Sequence, residues 1–389
     1  MKTNCILLMF WLAVSAAAGD VSITRSDTEE KSRGEGFWRS RTAVSIGAAN
    51  INYEGLHRKD SSELIQEKYC DRRFGLLWPK EKGWNWSSES FLKVAVNSNG
   101  KNFDGTGRYI LRECQTLAEG KRAMAEFIWP LADASSAEEK DAPGLRLRVL
   151  HDSAWKEWLF VRISVNGGDA LLKELQLGCY PSCSSGPPER ERWILFPGGH
   201  KNMGSGKVTL PSETAGLAYH NKYQQTRDGC FLVYQPNEVE EVKVAGTYGV
   251  GTAIVMKPGI RTTVLALGYF LDTPWEDAGR MFLSETLSQV SAQIDRIDWS
   301  PVLPLTEFDS LIARTGRLLE SPAPWPEAVI PVTPPVTAAR SAAAKSFADV
   351  KTAYEQARTT KSLDGMLAAV RDAAALREKN AEDALKLIE

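Results

Sequence analysis

Two apolar runs around one tight turn constrain this chain more than any other feature. Residues 158–165 (WLFVRISV) are dense in β-branched and aromatic side chains, and residues 171–177 (LLKELQL) follow closely. Between them, Asn166-Gly167-Gly168-Asp169 supplies the residue types that accept positive φ at small cost. That is a compact turn signal between two strands. Residues 145–150 (LRLRVL) alternate with the period of two that a sheet buried on one face requires.

Similar short runs recur from about residue 40 to 271, separated by Gly, Pro, Asn and Asp. Strands are expected at 91–96, 108–113, 123–129, 192–196, 217–223, 230–234, 239–245, 252–256 and 262–271. No long helical pattern lies between them, so a parallel βαβ sheet is excluded. The fold class expected is mainly β, a large antiparallel β-sandwich.

The pattern changes at Thr273. Thr273-Pro274-Trp275-Glu276 reads as a capped helix start, and Leu283, Leu287, Val290, Ile294 and Ile297 recur at helical spacing. This predicts a capping helix against the sandwich, then a short helix over 306–319. Residues 321–337 hold six prolines and read as an extended linker. Beyond them Phe347, Val350 and Tyr354 mark one helical face, and Leu363, Leu367, Val370 and Ala374 another. Residues 359–362 divide the two. Such a C-terminal helical hairpin has a narrow apolar stripe and needs a partner, either itself, the sandwich or another protein.

The ends of the chain suggest a compartment. Lys2, the apolar run 5–14 and the small residues 15–18 have the form of a signal peptide cleaved after Ala18. A run of ten gives about 15 Å of helix, roughly half the hydrocarbon core of a bilayer. The organisation expected is a signal peptide over 1–18, a β-sandwich with its terminal helix over 19–302, a short helix and linker over 303–338, and helices over 339–389. The expected location is secreted or periplasmic, with no transmembrane segment in the mature chain.

Acidic and basic residues number 49 and 47. The near-neutral balance and scattered basic residues argue against nucleic acid as a partner. Export permits disulfides, and Cys179-Tyr180-Pro181-Ser182-Cys183 is the expected clip, linking Cys179 to Cys183. No histidine pair has metal-ligand spacing, so no metal and no cofactor is expected.

Residues 193–209 (WILFPGGHKNMGSGKVT) have the glycines of a phosphate loop but not their placement. With Gly206-Lys207 as the terminal pair, the first Gly should stand at Lys201 and the Mg²⁺-binding hydroxyl at Val208. The stretch therefore reads as a glycine-rich loop between strands. His200 on it, with His220 and Tyr223 in the polar run 219–223 (YHNKY), are the candidate catalytic groups. A Tyr or His beside Asn and Lys can abstract a proton next to a carboxylate, as a uronic-acid lyase requires.

Trp78, Trp84 and Trp86 lie within nine residues around a Pro- and Lys-bearing stretch. Exposed indoles stack on sugar rings, so these three are the expected carbohydrate-binding residues. Asn85-Trp86-Ser87 also fits an N-glycosylation acceptor.

The segment FVRISVNGGDALLKELQLGCYPS, 160–182, resembles the galactose-mutarotase-like sandwich. In that family a strand, a turn and a second strand lead to a His-bearing motif. Cys179-Tyr180-Pro181 stands where that histidine is expected, so the catalytic residue does not carry over. The resemblance implies an antiparallel sandwich of the kind found in carbohydrate-active proteins, and fold alone does not fix function. The reading is an exported protein that binds or processes polysaccharide, enzymatic or not. Its alternatives are an envelope or extracellular structural protein whose helical tail binds a protein partner, and a uronic-acid polysaccharide lyase.

Overall fold

The computed structural model describes residues 21–59, 61, 63–65, 72–79, 86–87, 90–118, 120–131, 144–180, 192–204, 206–211, 213–221, 228–246, 249–301, 305–320, 334–360 and 362–386. The expected signal peptide, Trp84, Cys183, Tyr223 and most of the proline-rich segment lie outside them. The chain divides into two compact units, Met1–Trp299 and Ser300–Glu389.

The first unit opens with four strands in sequence order, β1 (Val21–Glu29), β2 (Phe37–Ile46), β3 (Ala49–Arg58) and β4 (Arg72–Leu77). Then come β5 (Leu92–Ser98), β6 (Lys101–Asp104), one helical turn α1 (Gly105–Arg108), β7 (Glu113–Ala118), β8 (Arg122–Pro130) and β9 (Gly144–Asp152). The two runs around the tight turn follow as β10 (Trp158–Asn166) and β11 (Leu171–Cys179). The remaining strands are β12 (Arg192–Phe196), β13 (Gly199–Asn202), β14 (Lys207–Leu210), β15 (Gly216–Asn221), β16 (Gly229–Tyr234), β17 (Val239–Gly246), β18 (Val250–Met256) and β19 (Thr262–Phe270).

These strands make a nine-stranded sheet ordered β13-β12-β15-β16-β19-β10-β9-β8-β7 and a six-stranded sheet ordered β14-β17-β18-β11-β5-β6. Pairing within the three sheets is antiparallel. The tight turn does not pair β10 with β11. β10 pairs with β9 and β19, and β11 with β5 and β18. The turn carries the chain from one sheet to the other, and Gly167 and Gly168 both take positive φ there.

One core joins the three sheets. Leu159, Val161 and Ile163 of β10 and Leu145, Leu147 and Val149 of β9 enter it, as the alternation requires. The Tyr219 hydroxyl of β15 meets Thr252 Oγ1 of β18 at 2.7 Å, across the two larger sheets. The four-stranded sheet packs its Phe74 and Tyr53 edge-on against Trp129 of β8, at 5.3 and 6.3 Å between ring centroids.

The outer face of the nine-stranded sheet is covered in part by the predicted capping helix. It is α2 (Trp275–Met281), a π-helical turn (Phe282–Thr286) and α3 (Leu287–Arg296). Phe282 stacks on Phe231 of β16, while Leu287, Val290 and Ile294 are buried. A side chain at Gly216 of β15 would meet Leu287 Cδ1 at 2.6 Å, so the glycine lets the helix approach the sheet. Thr273 is not the cap. Pro274 occupies that position, and the Thr273 hydroxyl turns back to the Leu271 carbonyl.

One further expectation is corrected. Residues 108–113 are not a strand: Arg108 ends α1, and β7 begins only at Glu113. Of the two cysteines expected to pair, Cys183 lies outside the described residues, and strand alternation turns Cys179 inward with Leu175 and Leu177, where it is buried.

The second unit is three helices, α4 (Leu305–Glu320), α5 (Pro334–Thr359) and α6 (Leu363–Lys386). α5 starts inside the stretch expected to be linker, on two prolines, which suit a first helical turn. The Ser362 hydroxyl accepts the Gly365 N–H and caps α6. The stripe that needed a partner finds one within the unit, because Phe347, Tyr354, Met366 and Ala373 bury against Ile312 of α4.

Candidate functional site

The histidines expected to carry chemistry do converge. β13, β12 and β15 are consecutive at one edge of the nine-stranded sheet, with Trp193 opposite both His220 and Asn202, and Leu195 opposite His200. Ile194 and Tyr219 point into the core, so the alternation sends Trp193 and His220 to the outer face. His200 reaches diagonally over Trp193, at 4.5 Å between ring centroids, and its Nε2 lies 3.0 Å from Nε2 of His220. Arg192 and Asn221 stand opposite one another and are buried, which fixes the register beneath the pair.

A second indole closes the cluster from above. Trp275, first residue of α2, stacks on His220 at 4.0 Å with 5° between planes, and lies 4.7 Å from His200. α2 comes this close because Ala278 and Gly279 are buried, Gly279 directly against Leu195 of β12. His220 is 2 % exposed, His200 is exposed, and Trp193 and Trp275 are half-buried. The arrangement offers an apolar rim with an imidazole proton donor or acceptor in its middle.

At 3.0 Å one imidazole donates and the other accepts, so the tautomers of His200 and His220 are coupled. The pair can therefore present an imidazole N–H donor and an imidazole acceptor to a hydroxyl. Among the described residues no group of three or more His, Cys, Asp and Glu is placed to hold a metal.

Of the tryptophans expected to bind sugar, Trp84 lies outside the described residues and the other two are buried. Trp78 is fully buried, its indole N–H donating to the Leu267 carbonyl at 3.1 Å and its ring packed edge-on to Tyr269 and His151. Trp86 is fully buried beside Cys179 and Tyr219. Both are core residues: Trp78 directly follows the inward-facing end of β4, and Trp86 bridges to Cys179 at the end of β11. Trp193, in an expected strand, and Trp275, at an expected helix start, hold the half-exposed positions. Their signal was present only as spacing to His200 and His220 in three dimensions.

The remaining histidines are apart from this cluster. His57 of β3 meets Ser40 Oγ at 2.9 Å. His151 of β9 accepts no charge readily, since burial beside Trp78 lowers its pKa from the ordinary value. The glycine-rich stretch runs through β12 and β13 of the nine-stranded sheet into β14 of the six-stranded one, and Lys207 opens β14 opposite Ala245.

No protein-family model and no curated protein matches the chain. Solved structures do. A protein assigned as an aldose 1-epimerase from Klebsiella pneumoniae is matched over 69 % of this chain and 95 % of its own, at 8 % identity and a TM-score of 0.35. A protein assigned as a mutarotase from Salmonella typhimurium is matched over 64 % and 97 %, at 8 % identity and 0.32. A galactose mutarotase-like protein from Clostridium acetobutylicum is matched over 64 % and 98 %, at 9 % identity and 0.32. The solved structures that this chain is similar to thus bear the family name read from residues 160–182, and identities this low say nothing about chemistry.

Proposed function

We propose that this is an exported β-sandwich protein that binds carbohydrate at the Trp193–His200–His220–Trp275 cluster. One observation carries the reading: two half-buried indoles bracket an imidazole pair on the outer face of a sheet. Indoles take the apolar face of a sugar ring, and imidazole nitrogens take its hydroxyls. Export rests on the leader-like first eighteen residues. Retention of the mature protein on a panel of neutral and acidic polysaccharides tests the reading. A retained glycan should be lost in Trp275→Ala and in Trp193→Ala. Failure of every glycan to retain the wild type defeats it.

A second reading is favoured by the 3.0 Å contact itself. Coupled imidazoles can act as acid and base on one substrate, and a sugar whose ring opens needs both. His220→Gln would then abolish turnover of a retained sugar while leaving most of its binding. A uronic-acid lyase acting through Tyr223 draws on a residue outside the described ones. The scaffold alternative asked for an exposed apolar stripe on the helical tail, and Phe347, Tyr354 and Met366 are instead buried in the core of their own unit.

A further inference from the structure

The nine-stranded sheet carries a second polar cluster, on strands remote in sequence order from the histidine pair. We propose that Arg162, with Arg146 and Arg148, forms a binding site for the oxyanion group of a ligand, a carboxylate, sulfate or phosphate. β10 and β9 place Arg162 directly opposite Arg148, and β9 and β8 place Arg148 opposite Glu126. The core residues of these strands point the other way, so all of these side chains share the outer face. Arg146 joins them from the same face of β9.

The acceptors near the cluster are largely used. Glu126 is 1 % exposed. Its Oε1 accepts Arg148 Nε at 2.8 Å and lies 3.8 Å from Arg146, and its Oε2 accepts Gln115 Nε2 at 2.8 Å. Arg148 also donates to the Trp299 carbonyl at 3.0 Å, which ties the chain leaving α3 to the sheet. Arg122 on the same face is occupied by the Asp298 carbonyl and by Asp152. Glu113 of β7 faces the same way one row along, opposite Ile128 and not opposite an arginine.

Arg162 is left over. It is half-buried and makes no hydrogen bond or ion pair among the described residues, and on β9 the residue opposite it has the same charge. Burial and Arg148 both disfavour its charged form, with only Glu126 opposing them. Like charges directly opposite in a sheet are destabilising, and a guanidinium out of water calls for a counter-charge. An oxyanion seated between Arg162 and Arg146 supplies it, and the planar fork of each guanidinium suits two-oxygen recognition. The site is independent of the carbohydrate reading, which concerns the other edge of the sheet.

Isothermal titration of the full chain with sulfate, with inorganic phosphate and with an oligogalacturonate tests this at low ionic strength. At least one probe should bind saturably at one site. Arg162→Gln should weaken it tenfold or more, Arg162→Lys less, and Trp275→Ala not at all. Without ligand, Arg162→Gln should melt no lower than the wild type, since it removes an unpaired cation. Should that variant not fold, Arg146→Gln, which gives up only the long contact to Glu126, takes its place. Binding of the oligogalacturonate alone identifies a carboxylated sugar as the ligand, and binding of sulfate or phosphate alone a sulfo or phospho group. No saturable binding of any probe, or equal binding by the substituted protein, overturns the proposal.

Discussion

The imidazole of His220 lies flat against the indole of Trp275, 4.0 Å between centroids and 5° from parallel. The contact fastens the first residue of α2 to the third strand from the sheet edge. An aromatic pair of this kind contributes about 0.5–1.5 kcal/mol beyond its buried area. Trp275→Ala should therefore lower the urea unfolding free energy by about 1–2 kcal/mol, a modest fraction of the total, while removing glycan retention. A collapse of the unfolding transition would instead mark Trp275 as a core residue.

Trp78→Ala and Trp86→Ala should behave oppositely. Both side chains are fully buried in the common core. Each truncation should cost about 3–5 kcal/mol of stability. Urea midpoints should fall sharply in both, and the folded fraction that remains should retain any glycan the wild type retains.

Acid should weaken the first unit in part through His151. Burial holds its imidazole below the ordinary value of 6.5, against a smaller opposing effect from the Lys156 carbonyl. Above 6.5 the ring is neutral in both folded and unfolded chains, and its contribution is fully present. As the pH falls below 6.5 the unfolded chain takes up the proton first, and stability is lost until the folded pKa is passed. Urea midpoints should drop between pH 7.5 and pH 5, and His151→Gln should show a smaller drop. An identical pH dependence in the two proteins would contradict this.

Glu126 anchors Arg148 and Gln115 from a buried position, while Arg148 itself is 22 % exposed. Removing the carboxylate leaves partly buried donors unmatched. Glu126→Leu should cost about 2–4 kcal/mol, the lower side of what breaking a buried pair costs, because water reaches the arginines. Thermal unfolding of the variant against the wild type measures it.

The three C-terminal helices should fold without the sandwich. Their apolar stripes bury against one another, and the Asp309 carboxylate accepts the Tyr354 hydroxyl at 2.9 Å and pairs with Arg358 at 3.0 Å. A fragment of residues 300–389 should show a cooperative helical melt by circular dichroism. Phe347→Ala, which empties a fully buried ring from a small core, should abolish that cooperativity.

The period-two strands β9, β17 and β18 were legible because one face of each is buried. β1 to β4 were less so: β1 (VSITRSDTE) is polar along most of its length and buries only Val21, so its alternation is nearly silent. The turn signal at Asn166-Gly167-Gly168-Asp169 marked a turn correctly, but a turn's residues do not say which sheet the next strand joins. Pro79 and the lysines after it suggested exposure for Trp78, whereas tertiary packing buries it. His200 and His220 were singled out for their polar neighbours. Their meeting depends on the register of β13, β12 and β15, and Trp275 enters from a helix 55 positions further on in sequence than His220.

The order of strands has one more consequence, for how this protein behaves in company. A free sheet edge is a template on which another chain can extend. Three of the edges here are β13, β14 and β6, each only four residues long and each carrying a lysine, Lys201, Lys207 and Lys101. The longer edges, β1 and β7, belong to different sheets yet lie against each other, where Arg25 at the middle of β1 donates to the Arg112 carbonyl just before β7. The sixth edge, β4, is covered as well, since the Leu76 N–H donates to the Ser87 carbonyl and the Phe74 carbonyl accepts the Phe91 N–H. The long edges are thus sheltered and the short ones charged, a geometry that opposes fibril growth from the folded state.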